Sequence, residues 1–239
     1  GIGETLTLLV PNVKGGGSGS TMSQSEAAMA KANPMYNGIY SQLPQYFGEQ
    51  PWTAGPVYVG AFVMFLFVLG CFIVKGPLKW ALLGATIFSI LLSWGKNFMG
   101  LTDFFIDYVP MYNKFRAVSS ILVIAEFTIP LLAIFALKEI LSKPDMLKQE
   151  KNCRGVIAAL VLTAGVALIL AVAPGTFFSS FITTQEMTAL KQALPAEHLA
   201  PFVANLTEMR EAIIASDAWR SFFIIVIGCL FLFLYQLRK

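Results

Sequence analysis

The stretch "SSILVIAEFTIPLLAIFAL", residues 119–137, is apolar enough to cross a bilayer, yet it carries a carboxylate at Glu126. A helix that crosses a hydrocarbon core of about 30 Å needs roughly 20 apolar residues. At about 1.5 Å per residue, Glu126 lies roughly 12 Å along such a helix, close to the middle of that core. The stretch therefore predicts a transmembrane helix with a polar position inside it.

The composition of the whole chain also indicates a membrane protein. Of its 239 residues, 56% are hydrophobic and 13% are charged, whereas a soluble domain has about 25% charged residues. Four more apolar runs lie at 57–74, 80–94, 155–174 and 221–237. The run 80–94 is short, unless its helix begins at Pro77 and Lys79 reaches the interface. We expect an all-α polytopic membrane protein, in contact with the lipid bilayer through about five transmembrane helices.

The basic residues predict how these helices are oriented. If residues 1–56 lie outside, the inner segments are 75–79, 138–154 and 238–239, and these short segments hold nine of the 17 Lys and Arg residues. Cytoplasmic segments are enriched in Lys and Arg, so we expect the N-terminus outside and the C-terminus inside. Because residue 1 is Gly and no signal or anchor precedes the outer segment, this topology predicts an internal piece of a longer polytopic protein.

The predicted order of segments follows from this topology. It is an outer segment at 1–56, three spans within 57–137 with an outer loop at 95–118, a cytoplasmic loop at 138–154, and two spans within 155–239 around an outer insertion at 176–220. In the outer segment, "KGGGSGS" at 14–20 is typical of a mobile native loop, with an engineered linker as the alternative. In the insertion, apolar residues recur at helical spacing and Pro195 interrupts them, which predicts an amphipathic helical hairpin on the outer surface.

Two carboxylates in the loop 95–118 form a candidate metal or acceptor contact. Asp103 and Asp107 are four residues apart, so they share one face if the loop is helical. Paired carboxylates can bind Mg²⁺ or Mn²⁺ together with substrate phosphates, which makes a divalent cation the one cofactor that the sequence suggests. Alternatively, both face water on an interfacial helix whose aromatic residues contact lipid. His198 is the only histidine and the three cysteines are scattered, so no Cys or His metal site is expected.

A cluster of polar residues precedes the opening stretch. Tyr112, Lys114 and Arg116 lie where the chain enters the span, and cations beside aromatic residues suit an anionic headgroup. Arg gives a planar, bidentate phosphate contact, whereas Lys acts as a point charge. These residues are therefore candidates for binding a lipid phosphate, with ordinary snorkelling at a span end as the alternative. The net charge of +3 is too small to suggest a nucleic-acid partner.

The carboxylate inside the span needs a separate explanation. An ionised acid at that depth costs at least about 2.5 kcal/mol, so we expect Glu126 to face the bundle interior or a wet cavity, or to be protonated. Pro130 lacks the N–H that would bond the Glu126 carbonyl, so the helix is expected to kink there. The alternative is a structural acid paired with a Lys or Arg from a span outside this chain.

Several stretches resemble the YfhO family of bacterial membrane proteins, in the form typical of Bacteroidetes. They are "GETLTLLVPNVKGG", "GPVYVGAFVMFLFVLG", "LLSWGKNFMGLTDFFIDYVPMYNKFRAVSSILV" and "SDAWRS". The most specific part is 94–123, with Pro110, Tyr112, Phe115 and Arg116 in a P-x-Y-x-x-F-R pattern.

The resemblance implies a GT-C type helical bundle in the bacterial inner membrane. It further implies transfer of a sugar from a polyprenyl-phosphate carrier to an extracytoplasmic acceptor, such as a cell-surface glycan or a lipid. The catalytic carboxylate of such enzymes belongs to an outer loop expected upstream of residue 1. No catalytic residue is therefore assigned in this chain, and residues 1–239 alone are expected to be inactive.

Two other classes of function remain open. Glu126 and Pro130 would suit a transporter or flippase for a lipid or small solute, because broken helices and buried acids mark transport pathways. A non-catalytic membrane scaffold would instead use the insertion 176–220 as a docking surface.

Overall fold

The computed structural model of the protein describes residues 1–50, 52–114, 118–143 and 146–238. Within these ranges the chain forms helices joined by turns and no β-strand, and one isolated antiparallel bridge joins Thr21 to Pro44. In chain order the helices are α1 Glu26–Met29, α2 Asn37–Tyr40, α3 Ala61–Ile73, α4 Pro77–Ser93, α5 Met99–Tyr108, α6 Val123–Ser142, α7 Glu150–Leu160, α8 Val166–Val172, α9 Thr184–Ala193 and α10 Ala196–Arg238. A π-helical turn joins α7 to α8, and short 3₁₀ helices include Ile2–Leu8 and Val118–Leu122.

Three helical stretches in the described ranges are long and apolar enough to cross a membrane. They are Ser119–Ser142, Glu150–Val172 and Ala196–Arg238. A fourth candidate combines α4 with the helix Gly95–Tyr108, which is bent from α4 by 108°. These helices support the prediction of an all-α membrane protein, and they support fewer full-length spans than the five apolar runs suggested.

The first apolar run forms a shorter helix than the sequence predicts. α3 has 13 residues, which gives a length of about 20 Å. Residues 57–60 stay non-helical because Gly60 adopts a φ of 98° immediately before the first turn. The hydroxyl of Tyr58 then accepts a hydrogen bond of 2.9 Å from the Ala61 N–H, which caps the helix start.

The second run begins at Pro77, as the sequence allowed. Gly76 has a φ of 105° and precedes Pro77, whose fixed φ suits the first helical position. The ammonium of Lys79 donates to the Cys71 carbonyl at 3.2 Å, near the C-terminal end of α3. It also lies 4.5 Å from the ring centroid of Trp80. Lys79 therefore stabilises the turn that joins α3 to α4.

Close packing joins α3, α4 and α6 into a membrane bundle, which also includes α7, α8 and the second half of α10. A Cβ at Gly70 of α3 would lie 3.1 Å from Leu132 of α6, so the absence of a side chain lets the two helices approach. The buried hydroxyls of Thr86 on α4 and Thr128 on α6 are hydrogen-bonded at 2.7 Å. Small residues and a shared hydrogen bond thus fix the helices that carry the candidate site.

The insertion 176–220 differs from the predicted surface hairpin. The break at Pro195 separates α9 from α10 as expected, but α10 continues for 43 residues into the last apolar run. No Gly or Pro lies between 202 and 220 to end the helix. At about 65 Å it is roughly twice as long as a 30 Å hydrocarbon core, so its first half projects beyond the membrane bundle.

An extramembrane region forms around that first half of α10. It consists of residues 1–50 and 52–56, α9 and residues 196–220. Its own apolar core contains Met22, Tyr36, Tyr40, Leu190, Phe202, Leu206, Met209 and Ile213. Asn205 of α10 accepts a 2.6 Å hydrogen bond from the Tyr40 hydroxyl and donates to the Lys31 carbonyl. The N-terminal segment is therefore packed on α10.

The glycine-rich stretch 14–20 is a packed turn, where the sequence suggested a mobile loop. Gly15 and Gly16 have φ values of 84° and 82°, a region that favours glycine. A Cβ at Gly15 would lie 2.0 Å from the Gln45 carbonyl oxygen. Here glycine permits a close approach between two backbone segments.

Candidate functional site

A cavity of about 250 Å³ lies between the N-terminal segment and the facing ends of two helices of the membrane bundle. The N-terminal wall comes from residues 1–16, 46–50 and 53–57. Ser93 closes it at the end of α4, and Ser119, Ser120 and Leu122 close it just before α6. The cavity therefore lies where the extramembrane region meets the membrane bundle.

Glu4 contributes the negative charge of the cavity wall. Its carboxylate accepts hydrogen bonds from the Tyr46 hydroxyl and from the Gln50 amide, the latter at 3.2 Å. These two hydrogen bonds hold the carboxylate in place as a hydrogen-bond acceptor.

Lys14 contributes the positive charge. Its ammonium lies 4.1 Å from the ring centroid of Phe178 and 4.8 Å from that of Phe47, a pair of cation–π contacts. Burial lowers the pKa of Lys14, and the negative charge of Glu4 offsets part of that effect. No carboxylate of the described chain lies within 4.0 Å of this ammonium. Lys14 therefore keeps hydrogen-bond donors for the cavity.

Neutral hydroxyls complete the wall. The Thr5 hydroxyl accepts from the Trp94 indole N–H at 2.9 Å. The Thr7 hydroxyl lies 2.6 Å from the Glu4 carbonyl oxygen and 3.1 Å from the Val57 carbonyl oxygen. With Glu4 and Lys14, these groups give the cavity balanced charge and both donors and acceptors.

A buried arginine on α10 fixes one part of the cavity wall. Arg210 forms a bidentate ion pair with Glu186 of α9, with both distances 2.7 Å. It also donates to the Pro44 carbonyl at 3.0 Å and lies over the Phe47 ring at 5.2 Å. Because Tyr46 lies between those two residues, Arg210 holds the segment that positions the partner of Glu4.

A second anchor lies two turns along the same helix. The Asp217 carboxylate accepts a hydrogen bond of 3.1 Å from the Asn12 N–H and pairs with Arg220 at 3.0 Å. The Ser221 hydroxyl donates to the Leu9 carbonyl at 3.1 Å. Residues 9–12, between Thr7 and Lys14 of the cavity wall, are thereby fixed to α10.

The predicted lipid-phosphate residues lie next to this cavity in the chain. Tyr112 and Lys114 form the 3₁₀ turn Tyr112–Lys114, and Lys114 is exposed. The Tyr112 ring packs on Phe105 at 5.2 Å, and its buried hydroxyl has no hydrogen-bond partner among the described residues. Arg116 lies outside the described residues. The prediction for these three residues therefore stays a prediction.

The predicted carboxylate pair lies on α5, so the condition that this loop is helical is met. Both Asp103 and Asp107 are exposed. The opposite side of the helix packs through Phe105 on Phe88 of α4, with ring centroids 5.7 Å apart. In the part of the chain that the structure describes, no group of three or more His, Cys, Asp or Glu side chains forms a metal site.

Glu126 and Pro130, the two residues singled out in the stretch 119–137, lie apart from the cavity. Glu126 is exposed on the surface of α6, and α6 continues through Pro130 without interruption. Neither residue lines the cavity. Within this chain, Glu126 therefore does not face the bundle interior.

Sequence reasoning missed the residues that line the cavity, notably Glu4, Lys14 and Tyr46. Glu4 shares one signal with Glu126, a carboxylate inside a short apolar run. Its contact with Tyr46 joins residues 42 positions apart, and no spacing rule links positions that far apart. Among known proteins, no protein-family model matches this chain, nor does any curated protein or solved structure.

Proposed function

We propose that the chain is part of a membrane glycosyltransferase that moves a sugar from a polyprenyl-phosphate carrier to an extracytoplasmic acceptor. The observation that carries this proposal is the cavity at the junction of the extramembrane region and the membrane bundle, whose wall includes Glu4, Lys14 and Gln50. The acceptor would be a cell-surface polymer or a lipid, and the membrane would be the bacterial inner membrane, with residues 1–56 outside.

The cavity suits a single sugar unit. Its volume of about 250 Å³ lies just below the roughly 300–1,000 Å³ typical of sites for drug-sized ligands. Each sugar hydroxyl both donates and accepts hydrogen bonds, and the wall offers an acceptor in Glu4 and donors in Lys14 and Gln50. Because Glu4 and Lys14 balance each other's charge, the wall favours a polar neutral group over a free phosphate.

The carrier phosphate would bind beside the cavity. Ser119 and Ser120 of the cavity wall follow Lys114 and Arg116 in the chain, so phosphate contacts at these cations would leave the attached sugar near the cavity. The prenyl chain would lie on the lipid-facing surface, where Phe88 of α4 is exposed.

The chemistry requires two contributions. A base must deprotonate the acceptor hydroxyl, and positive charge must stabilise the departing phosphate. Lys114 and Arg116 would supply the positive charge. Glu4 is a poor candidate for the base because the Tyr46 hydroxyl and the Gln50 amide already donate to its carboxylate. In keeping with the family resemblance, we assign the base to an outer loop outside residues 1–239.

Binding of two probes to the detergent-solubilised full-length protein tests this proposal. The probes are a short-chain polyprenyl-phosphate sugar and the same polyprenyl phosphate without the sugar. Arg116→Ala should weaken both by roughly 10- to 150-fold, the loss of a charge-assisted contact. Gln50→Ala should weaken only the probe that carries the sugar, since Gln50 belongs to the cavity wall. Lys96→Ala is the matched control, because Lys96 is an exposed cation that pairs with Glu49.

The outcomes separate the competing functions. If binding is unchanged in Arg116→Ala, Arg116 does not bind the carrier phosphate and only snorkels to the interface. If Gln50→Ala weakens the binding of both probes equally, the sugar does not bind in the cavity. If neither probe binds the wild-type protein, the transporter hypothesis replaces the transferase.

A further inference from the structure

An unpaired carboxylate lies on the exposed surface of α6. Glu126 is exposed in the first turn of α6, within the candidate span Ser119–Ser142. No ion pair or hydrogen bond joins its side chain to any described residue. Acidic side chains within a membrane span usually pair with another polar group or face water, and the described part of the chain offers Glu126 no such group.

The surface around Glu126 is apolar over three turns of the helix. Val123, Phe127 and Ile134 are exposed by 62%, 68% and 61%, and their spacing places them along one side of α6. The opposite side, with Ala125 and Ile129, is fully buried against the bundle. The exposed side thus combines an apolar stripe with one negative charge at its edge.

A second copy of this chain cannot neutralise that charge at the same depth. None of the five apolar runs contains Lys, Arg or His. Pairing α6 with a second α6 would instead bring two carboxylates toward each other, which is unfavourable. Charge complementarity therefore requires a helix of different sequence.

We propose that this face of α6 is covered by a transmembrane helix from outside residues 1–239 that carries a Lys or Arg within its apolar stretch. The basic side chain pairs with Glu126 away from lipid, and the apolar stripe packs against the rest of the partner helix. This inference is independent of sugar transfer, because it uses no residue of the cavity.

Site-specific photo-crosslinking of the full-length protein in its native membrane tests the proposal. A photoreactive amino acid replaces Phe127 in one variant and Val161 in a control. Val161 is exposed by 62% at the middle of the stretch Glu150–Val172, with no charged residue beside it in the chain. The Phe127 probe should join a mapped peptide from outside residues 1–239 that has a Lys or Arg in its apolar stretch, whereas the Val161 probe should yield lipid adducts.

Charge reversal provides the second readout. Glu126→Lys should lower the Phe127 crosslink by tenfold or more, and replacing the partner's cation by Glu in the same protein should restore it. Glu126→Gln, which keeps the shape, should lower the yield less. Lipid adducts alone at Phe127, a crosslink to a second copy of residues 1–239, or a yield unaffected by Glu126→Lys would each overturn the proposal.

Discussion

The extramembrane region and the membrane bundle treat their charged side chains differently. In the extramembrane region, buried charges find partners within the chain: Arg210 pairs with Glu186, and Asp217 accepts from the Asn12 N–H. In the membrane bundle, Glu126 has no partner among the described residues. The difference indicates that the buried ion pair of the first region is satisfied within the chain, whereas the carboxylate of Glu126 is not.

The strongest test of this difference is removal of the buried arginine. Arg210→Ala leaves Glu186, whose side chain is 13% exposed, without its partner. Breaking a buried ion pair from one side costs about 3–5 kcal/mol, so we expect a loss of that size in the free energy of opening of the extramembrane region. Hydrogen exchange of the Gln45 and Phe47 amides, which donate to the Ser20 and Lys14 carbonyls, would measure it.

Glu208→Ala is the control for that experiment, because Glu208 is exposed on the same helix. Surface substitutions usually change stability by less than about 0.5 kcal/mol. Equal effects of Arg210→Ala and Glu208→Ala would contradict the idea that internal charge pairing holds the extramembrane region together.

A medium effect is expected at the glycine-rich turn. In Gly15→Ala, the new Cβ would meet the Gln45 carbonyl at 2.0 Å in a backbone conformation that favours glycine. We expect a destabilisation of about 1–3 kcal/mol, seen as faster hydrogen exchange at the Gln45 and Phe47 amides. Gly19→Ala should have little effect, since no atom lies within 4 Å of its Cβ position. If both variants exchange equally fast, the stretch is the mobile loop that its composition suggests.

The smallest effect is expected inside the membrane bundle. Thr128→Val removes the hydrogen bond to Thr86 between α6 and α4. Such interhelical bonds average about 0.6 kcal/mol in membranes, so unfolding in detergent should shift only slightly. Thr163→Val is the control, because the Thr163 hydroxyl donates to the Ala159 carbonyl of its own helix. A shift above about 2 kcal/mol would mean that polar contacts dominate the bundle as well.

Hydropathy predicted the helical membrane character of the chain but not every helix end. The apolar run 155–174 lies largely within Glu150–Val172. α3 is shorter than its run because Gly60 and Tyr58 define its first turn. α10 is longer than its run because no breaker separates the amphipathic part from the apolar part. Composition records how apolar a segment is, whereas local backbone geometry decides where a helix begins and ends.

The candidate site was harder to predict than the spans. The cavity combines Glu4, Tyr46 and Ser93 with residues that precede α6, and only the tertiary fold brings them together. The sequence showed that Glu126 interrupts an apolar stretch, but it did not show the direction of the side chain. α6 is apolar on nearly all sides, so its pattern does not reveal which face is buried.

The uninterrupted course of α10 has a mechanical consequence. Because a single helix resists bending, a displacement of the first half of α10 also tilts its second half. Near the middle of α10, Asp217 and Ser221 hold the cavity wall through hydrogen bonds with Asn12 and Leu9. At the far end, the Gln236 amide donates to the Ile140 carbonyl of α6 at 2.8 Å. A change in the shape of the cavity can therefore be transmitted along one rigid element to the opposite end of the membrane bundle.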